Sequence, residues 1–305
     1  RVSVSVRGDT EYTRTDVYDV VREGALTYQH SFSEDFWLSA NANFTYATSE
    51  FLVADEPDYA ASGLPWRSRI GYSLNQQWGY IAERLFIDET DIANSPIQTF
   101  GPYMPGDIKY KDINRDGKID ESDLVPIGYP TEAEINYGFG ATLGYKGFDF
   151  SFFFNGLGRK TFFIDAQQMA PFNNPPVTAA GVGGYTRKTA LFKEFADSHW
   201  SESNPDIYAV WPRLSTDAYD NSNNYQQSTW WMRNGSFLRL KLIELGYTLP
   251  HNLTRKIRIE DLRIYVSGED LFAGSNFKMW DVEMGGMGIG YPIQKKFNIG
   301  LQVKF

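Results

Sequence analysis

The chain has 305 residues, no cysteine, and 38 acidic against 29 basic residues, a net charge of −9. The absence of cysteine excludes disulfides and thiolate metal sites, and the acidic balance argues against a nucleic-acid partner, because neutralising phosphates needs basic surface. Aromatic residues reach 16% at a mean hydropathy of −0.41, and no window approaches the run of about 18 apolar residues that crosses a bilayer as a helix, so the mix suits half-buried strands joined by polar loops.

In chain order, Arg1–Arg7 (RVSVSVR) alternates valine with polar residues and reads as a strand end, with neither the apolar core nor the cleavage site of a signal peptide. The chain is therefore expected to be a mature or internal piece. Gly8–Asp19 is polar and turn-rich. A strand is expected over Val20–Phe32, with Leu26, Tyr28, His30 and Phe32 on one face, then a turn at Ser33–Asp35 and a second strand over Phe36–Thr48. In that second strand Phe36, Leu38, Ala40, Ala42, Phe44 and Tyr46 face one way; Trp37 shares the other face with Ser39, Asn41, Asn43 and Thr45.

Residues 49–134 lack sustained alternation and are rich in Pro, Gly, Asp and Asn, which marks one long excursion. Alternation returns in Ile135–Lys146 and in Phe148–Asn155, with Lys146–Gly147 as a minimal hairpin turn. A second excursion, 161–235, carries Pro171, Pro175 and Pro176; strands are then expected at Phe237–Thr248 and Leu262–Asp270, followed by a Gly- and Met-rich loop at 271–293. The last strand, Gln294–Phe305, places Phe297, Ile299, Leu301, Val303 and Phe305 on every second position.

Eight strands result, and their connections alternate short (33–35, 146–147, about 249–257) and long (49–134, 161–235, 271–293). Such sorting by parity suits an antiparallel transmembrane β-barrel, whose brief periplasmic turns occupy one rim and whose long loops occupy the outer rim. Greek-key sandwiches have no reason to sort loops this way, and their strands run about 5 to 6 residues. Two alternatives remain open at this point: a soluble or surface calcium-containing, glycan-acting all-β enzyme, and a small closed eight-stranded barrel acting as an adhesin.

Asp112, Asn114, Asp116, Gly117, Lys118, Asp120 and Asp123 occupy positions 1, 3, 5, 6, 7, 9 and 12 of a calcium-loop pattern, DINRDGKIDESD. Oxygens at 1, 3 and 5 converge, Gly117 permits the turn, the Lys118 carbonyl contributes, and Ile119 packs the loop down. A structural Ca2+ is expected, bound weakly because position 12 is Asp in place of the usual bidentate Glu. The competing reading is a surface turn held by Asx hydrogen bonds. Trp211, Tyr225, Trp230 and Trp231 in the second excursion, and Trp66, Trp78 and Tyr80 in the first, sit beside Asn, Gln and Asp, as a sugar-binding wall requires; loop packing or an interfacial girdle is the plainer account. His30, His199 and His251 are far apart, no nucleophile elbow, HExxH motif or phosphate loop occurs, and no catalytic residue is assigned. Carboxylate pairs such as Glu121/Asp123 and Asp281/Glu283 are read as solvated.

Several stretches together resemble SusC/RagA-like TonB-dependent transporters: Gly106–Gly128 (GDIKYKDINRDGKIDESDLVPIG), YGFGATLGYKGFDFSFFFNGLG, WWMRNGSFLRLKLIELGYTLP and the closing YPIQKKFNIGLQVKF. The segment AGSNFKMWDVEMGG after Leu271 departs from the family pattern, so no role is carried over to that loop. The resemblance implies that residues 1–305 are the C-terminal part of a barrel of about 22 strands, with the N-terminal plug and TonB box absent from this chain. It further implies active import across the outer membrane of a Bacteroidota-like Gram-negative cell, of a glycan or, second, an oligopeptide. Implied partners are a SusD-like surface lipoprotein, TonB acting through the missing part, and outer-membrane lipid. Phe305, on its terminal aromatic strand, resembles the signal read by barrel-assembly machinery.

Overall fold

The computed structural model describes residues 2–13, 16–172, 191–216 and 222–305. Arg1 and the Pro175–Pro176 pair lie outside the described residues. Eight long strands form one antiparallel sheet in strict sequence order: β1 (Val2–Thr13), β2 (Val17–Ser31), β3 (Phe36–Phe51), β4 (Ile135–Tyr145), β5 (Phe148–Gly158), β6 (Phe237–Thr248), β7 (Asp261–Ser275) and β8 (Lys296–Lys304). Seven of them run 11 residues or more, the length a tilted strand needs to cross a bilayer. β1 and β8 end the row and do not pair with each other, so these eight strands do not close a small barrel among the described residues.

Register carries the sequence alternation into a two-faced sheet. Leu26 lies opposite Val4 and Ala42, Ala42 opposite Phe139, Phe139 opposite Phe154, and across the next strands Leu245 opposite Val266 and Val266 opposite Ile299. All fall on one face, and that face is bare: Ile299 is 84% exposed and Val4 65%. No helix among the described residues is long and apolar enough to cross a membrane. The opposite face carries Asn41, Asn43, Ser151 and Asn298, with Gly138, Gly140 and Gly144 on β4. Trp37 is on this polar face, its indole lying against Gly144, where an added Cβ would come 2.1 Å from Nε1. Near the short-turn rim, Arg263 bridges Asp149 (Nε to Oδ1, 2.9 Å) and Glu244 (Nη2 to Oε1, 2.6 Å) on the same face.

The turns obey local chemistry. Lys146 (φ 48°) and Gly147 (φ 82°) supply the two positive φ values of a two-residue hairpin whose twist matches its strands. On this rim the bare face ends in a row of rings: Tyr28, His30, Phe32, Phe36 and Tyr145 follow at centroid spacings of 6.2, 4.5, 4.8 and 6.2 Å, and Phe148 stacks on Tyr247 at 4.4 Å. His30 is thus part of an aromatic row on the face of outward parity.

Gly8–Asp19 departs from the turn-rich reading. β1 and β2 remain paired through Thr13↔Tyr18, with a register shift between Arg7 and Thr10, so the first connection at the long-loop rim is only residues 14–16. A ladder is held by backbone hydrogen bonds whatever its side chains, which is why composition hid it.

Most of the buried core lies beyond the sheet, touching it at Leu157 and Phe237. Leu85, Phe86, Ile108, Ile119 and Phe195 are fully buried, and the cluster around them draws on 80–124, 157–170, 191–237 and 277–282. The three excursions form one packed body on the long-loop rim.

Candidate functional site

This loop body is stitched by short ladders and by a buried polar knot. Ala82–Leu85 pairs with Ile108–Tyr110, Ile97–Gln98 with Lys118–Ile119, Trp78–Gly79 with Val125–Pro126, and Thr161–Phe163 with Met232–Asn234. Between the first and second excursions, Gln98 Nε2 donates to Asn223 Oδ1 (2.7 Å) and to the Ile108 carbonyl (2.9 Å). Ile108 N donates to Asn224 Oδ1 (2.8 Å), and Asn224 Nδ2 to Asp107 Oδ1 (2.7 Å). The Tyr110 hydroxyl donates to the Asn223 carbonyl (2.8 Å), and Arg213 Nε approaches Asp107 Oδ1 at 2.7 Å. Buried amides of this kind are stable only when nearly every donor and acceptor is met, so the knot fixes how the two excursions sit together. Burial pushes the Asp107 carboxyl up, against the pull of Arg213 and Asn224. Burial also raises the Tyr80 hydroxyl to about 12, helped by Glu121, Asp120 and Asp123.

The expected sugar wall separates into two sets. Trp211 and Trp231 are only 3% and 2% exposed and pack on each other at 4.7 Å, with Phe195 4.3 Å from Trp211. Trp231 Nε1 donates to the Asn224 carbonyl (2.7 Å). Their faces are covered, because large rings in a loop body supply the core that the two-faced sheet cannot. Tyr225 and Trp230 are half-buried at the margin of the same core. In the first excursion Tyr80 is buried, while Trp66 donates to the Ser122 carbonyl (2.8 Å) and Trp78 packs on Tyr72. Phe305 follows the end of β8 and is 89% exposed.

The calcium-loop residues adopt an Asx-braced turn. Asp112 accepts from Arg115 N (2.6 Å) and Gly117 N (2.9 Å), Asn114 Oδ1 from Asp116 N (3.0 Å), and Asp116 Oδ1 from Lys118 N (2.8 Å). Gly117 takes φ 86° and Ile119 is fully buried, as the pattern requires. Asp120 and Asp123 are used differently: they form a capping box on Glu121–Asp123, and Asp123 also accepts from Ile113 N (2.7 Å) and Asp120 N (3.0 Å). Asp112, Asn114, Asp116 and the Lys118 carbonyl remain a hard oxygen set that suits calcium. Among the described residues no group of three or more His, Asp or Glu side chains is placed to hold a metal ion.

The carboxylate pairs are mostly structural. Asp123 belongs to the capping box with Asp120, while Glu121 is exposed, as the solvated reading expects; Asp281 receives Arg239 Nη2 at 2.5 Å, and Glu283 pairs with Arg239 as well. That contact ties the third excursion to β6. Sequence reasoning missed both this latch and the Asn223–Asn224 knot, whose residues are 125 and 116 positions from their partners Gln98 and Ile108.

A cavity of the loop body, about 820 Å3, is lined by Ile87, Asp88, Glu89, Met104, His199, Trp200, Glu202 and Arg213. His199 Nδ1 lies 3.0 Å from the Ala196 carbonyl. Of these lining residues the sequence singled out only His199.

No family model matches the chain. It is 30% identical over 219 residues to TonB-dependent receptor P26 of Formosa agariphila and 26% identical over 222 residues to TonB-dependent receptor P3 of the same organism. Each match takes in 67% of this chain and 20% of the relative, so the chain spans only a fifth of the length of these proteins. Among solved structures it is similar to the RagAB peptide transporter (TM-score 0.62, 19% identity, 95% of this chain and 29% of that one). It is also similar to the RagAB peptide importer in its 'closed-closed' state (TM-score 0.60, 22% identity, 95% and 30%). These relatives are receptors and transporters rather than enzymes, and the eight-stranded meander agrees with theirs. The chain belongs to the TonB-dependent receptor family, and its fold is that of the RagAB transporter.

Proposed function

We propose that this chain supplies barrel wall and outer loops to an outer-membrane, TonB-driven importer of a nutrient. The observation that carries the reading is the separation of two surfaces: a bare apolar sheet face ending in a row of rings, and a packed loop body on one rim only. Lipid covers the first without cost, and the second is large enough to hold a substrate and a lid. In this reading a SusD-like lipoprotein closes over the loop body and TonB acts through a plug contributed by another part of the polypeptide.

Glycan fragments are the first substrate class, with Tyr225 and Trp230 as the aromatic margin still available to a sugar face. Oligopeptides are the second, favoured by the mixed charge of the 820 Å3 cavity, whose lining includes Arg213 together with Asp88, Glu89 and Glu202. The test is mass spectrometry of ligands retained by the whole transporter purified from membranes, followed by uptake of the identified class. Bound peptides and no saccharide would reverse the order of the two classes. Recovery of the protein in a soluble fraction without detergent would overturn the importer.

Calcium is proposed as a brace of the loop at Asp112, Asn114, Asp116 and the Lys118 carbonyl. Extracellular sites of this kind bind at about 10⁻⁴ to 10⁻³ M. EDTA and Asp116→Ala are each expected to speed proteolysis within Gly106–Gly128. Unchanged cleavage in both would leave the Asx turn alone.

A further inference from the structure

Tyr46, Thr48 and Glu50 share the outward face of β3 with Phe36 and Phe44. Tyr46 is ten positions beyond Phe36, the ring that marks the short-turn rim. Ten positions rise about 33 Å along a strand, or about 25 Å along the membrane normal at a tilt of about 40°, which is the height of the apolar band of such barrels. Tyr46 therefore stands at the upper lipid–water boundary, on the outside of the wall.

At that height the outer face ceases to be bare. One segment of the first excursion folds down along it, with Phe51 N donating to the Tyr72 carbonyl (3.0 Å) and Gly71 N to the Phe51 carbonyl (2.9 Å). A second segment closes the other side, where Ala47 N donates to the Glu134 carbonyl (2.8 Å). Together they wall a pocket of about 300 Å3. Arg159 is held between two rings, its guanidinium carbon 5.7 Å from the Tyr46 centroid and 4.8 Å from that of Tyr129. Its Nε pairs with Glu134 at 2.5 Å, and Thr48 donates to the same carboxylate, also at 2.5 Å. Tyr72 and Glu50 complete the lining.

A plain interfacial girdle needs rings but neither walls nor an ordered ion pair with a 7% exposed carboxylate. Two carboxylates against one guanidinium disfavour a phosphate; a hydroxyl group can bond to the exposed carboxylate of Glu50, and the exposed ring of Tyr129 offers an apolar platform. That pairing of flat apolar surface with carboxylate edges is what a sugar ring presents in reverse.

We propose that this outward pocket binds a hexose ring, carried by a glycolipid of the surrounding outer leaflet. The proposal rests on the membrane orientation above but not on what the importer carries. The test uses the whole transporter in detergent, incubated separately with lipopolysaccharide that carries its hexose-bearing core, with phosphatidylglycerol and with free methyl hexosides, and compares wild type with Tyr129→Ala and Tyr129→Phe by native mass spectrometry. Retention of lipopolysaccharide, weakened about tenfold in Tyr129→Ala but kept in Tyr129→Phe, is the expected result, since one lost stacking contact is of that size. Binding of methyl hexoside without lipopolysaccharide would support the sugar site with a soluble source. Equal retention of phosphatidylglycerol, or retention unaffected by Tyr129→Ala, would overturn the proposal. Extraction of every variant from the outer membrane by detergent checks the orientation separately, so its failure is distinguishable.

Discussion

At the scale of single residues the buried pair Asp107–Arg213 is the most consequential contact, because a carboxylate with no exposed surface depends on its guanidinium neighbour. Arg213→Met would leave that charge unpaired, a loss on the order of 3–5 kcal/mol in the stability of the loop body. The sign with pH follows from burial having raised the Asp107 carboxyl: its neutral form is the one the fold favours. The variant should therefore recover as pH falls and worsen as pH rises, measured as protease resistance of the loops; a pH-independent defect would contradict this account. Tyr80 gives the opposite limit. Its raised value means that the loop body keeps its full stability below the ordinary 10.0, and that between 10.0 and about 12 ionisation of the unfolded state draws the loops open. Tyr80→Phe should flatten alkaline unfolding in that window.

At the scale of elements, β5 offers neighbouring positions with opposite fates. Phe152 lies opposite Ala141 and Ile243 on the lipid face, while Ser151 lies opposite Thr142 and Glu244 on the inner face. Phe152→Arg should cost about 2–4 kcal/mol and lower the amount of assembled protein in the membrane, whereas Ser151→Arg should be tolerated. Heat-modifiable migration on gels distinguishes the two, and equal loss would mean that the faces are misassigned. Gly144 tests the inner wall in the same way. A side chain there meets the Trp37 indole, so Gly144→Val should cost about 1–3 kcal/mol by overpacking.

At the scale of the molecule, the two edges β1 and β8 present unpaired backbone, and an unpaired edge is not tolerated in hydrocarbon. Expressed by itself, the described sheet should therefore aggregate and show no heat-modifiable form. A closed, heat-modifiable species formed by residues 1–305 alone would revive the small-barrel alternative.

The strands were legible in the sequence because the side-chain period of two is local: Phe36 to Tyr46, or Phe297 to Val303, declares its face without reference to any partner. Gly8–Asp19 escaped that reading, since there the ladder continues without apolar residues to mark it. The Asp112–Ile119 turn was legible for the same local reason, its hydrogen bonds spanning five residues or fewer. Asp120 and Asp123 were not, because their spacing fits both a metal and a capping box, and only the fold of 121–123 chose the box. Trp211 and Trp231 carry nothing in the sequence to separate a sugar platform from a core ring. Burial is a property of what lies above a side chain, and here that is supplied by packing within the loop body, such as that of Phe195 on Trp211 and of the two tryptophans on each other. Sequence alone thus determined the membrane wall, through periodicity and loop parity. Tertiary structure alone decided which loop residues are core, which are surface, and that an outward pocket exists at Tyr46, because each depends on contacts between segments tens of residues apart.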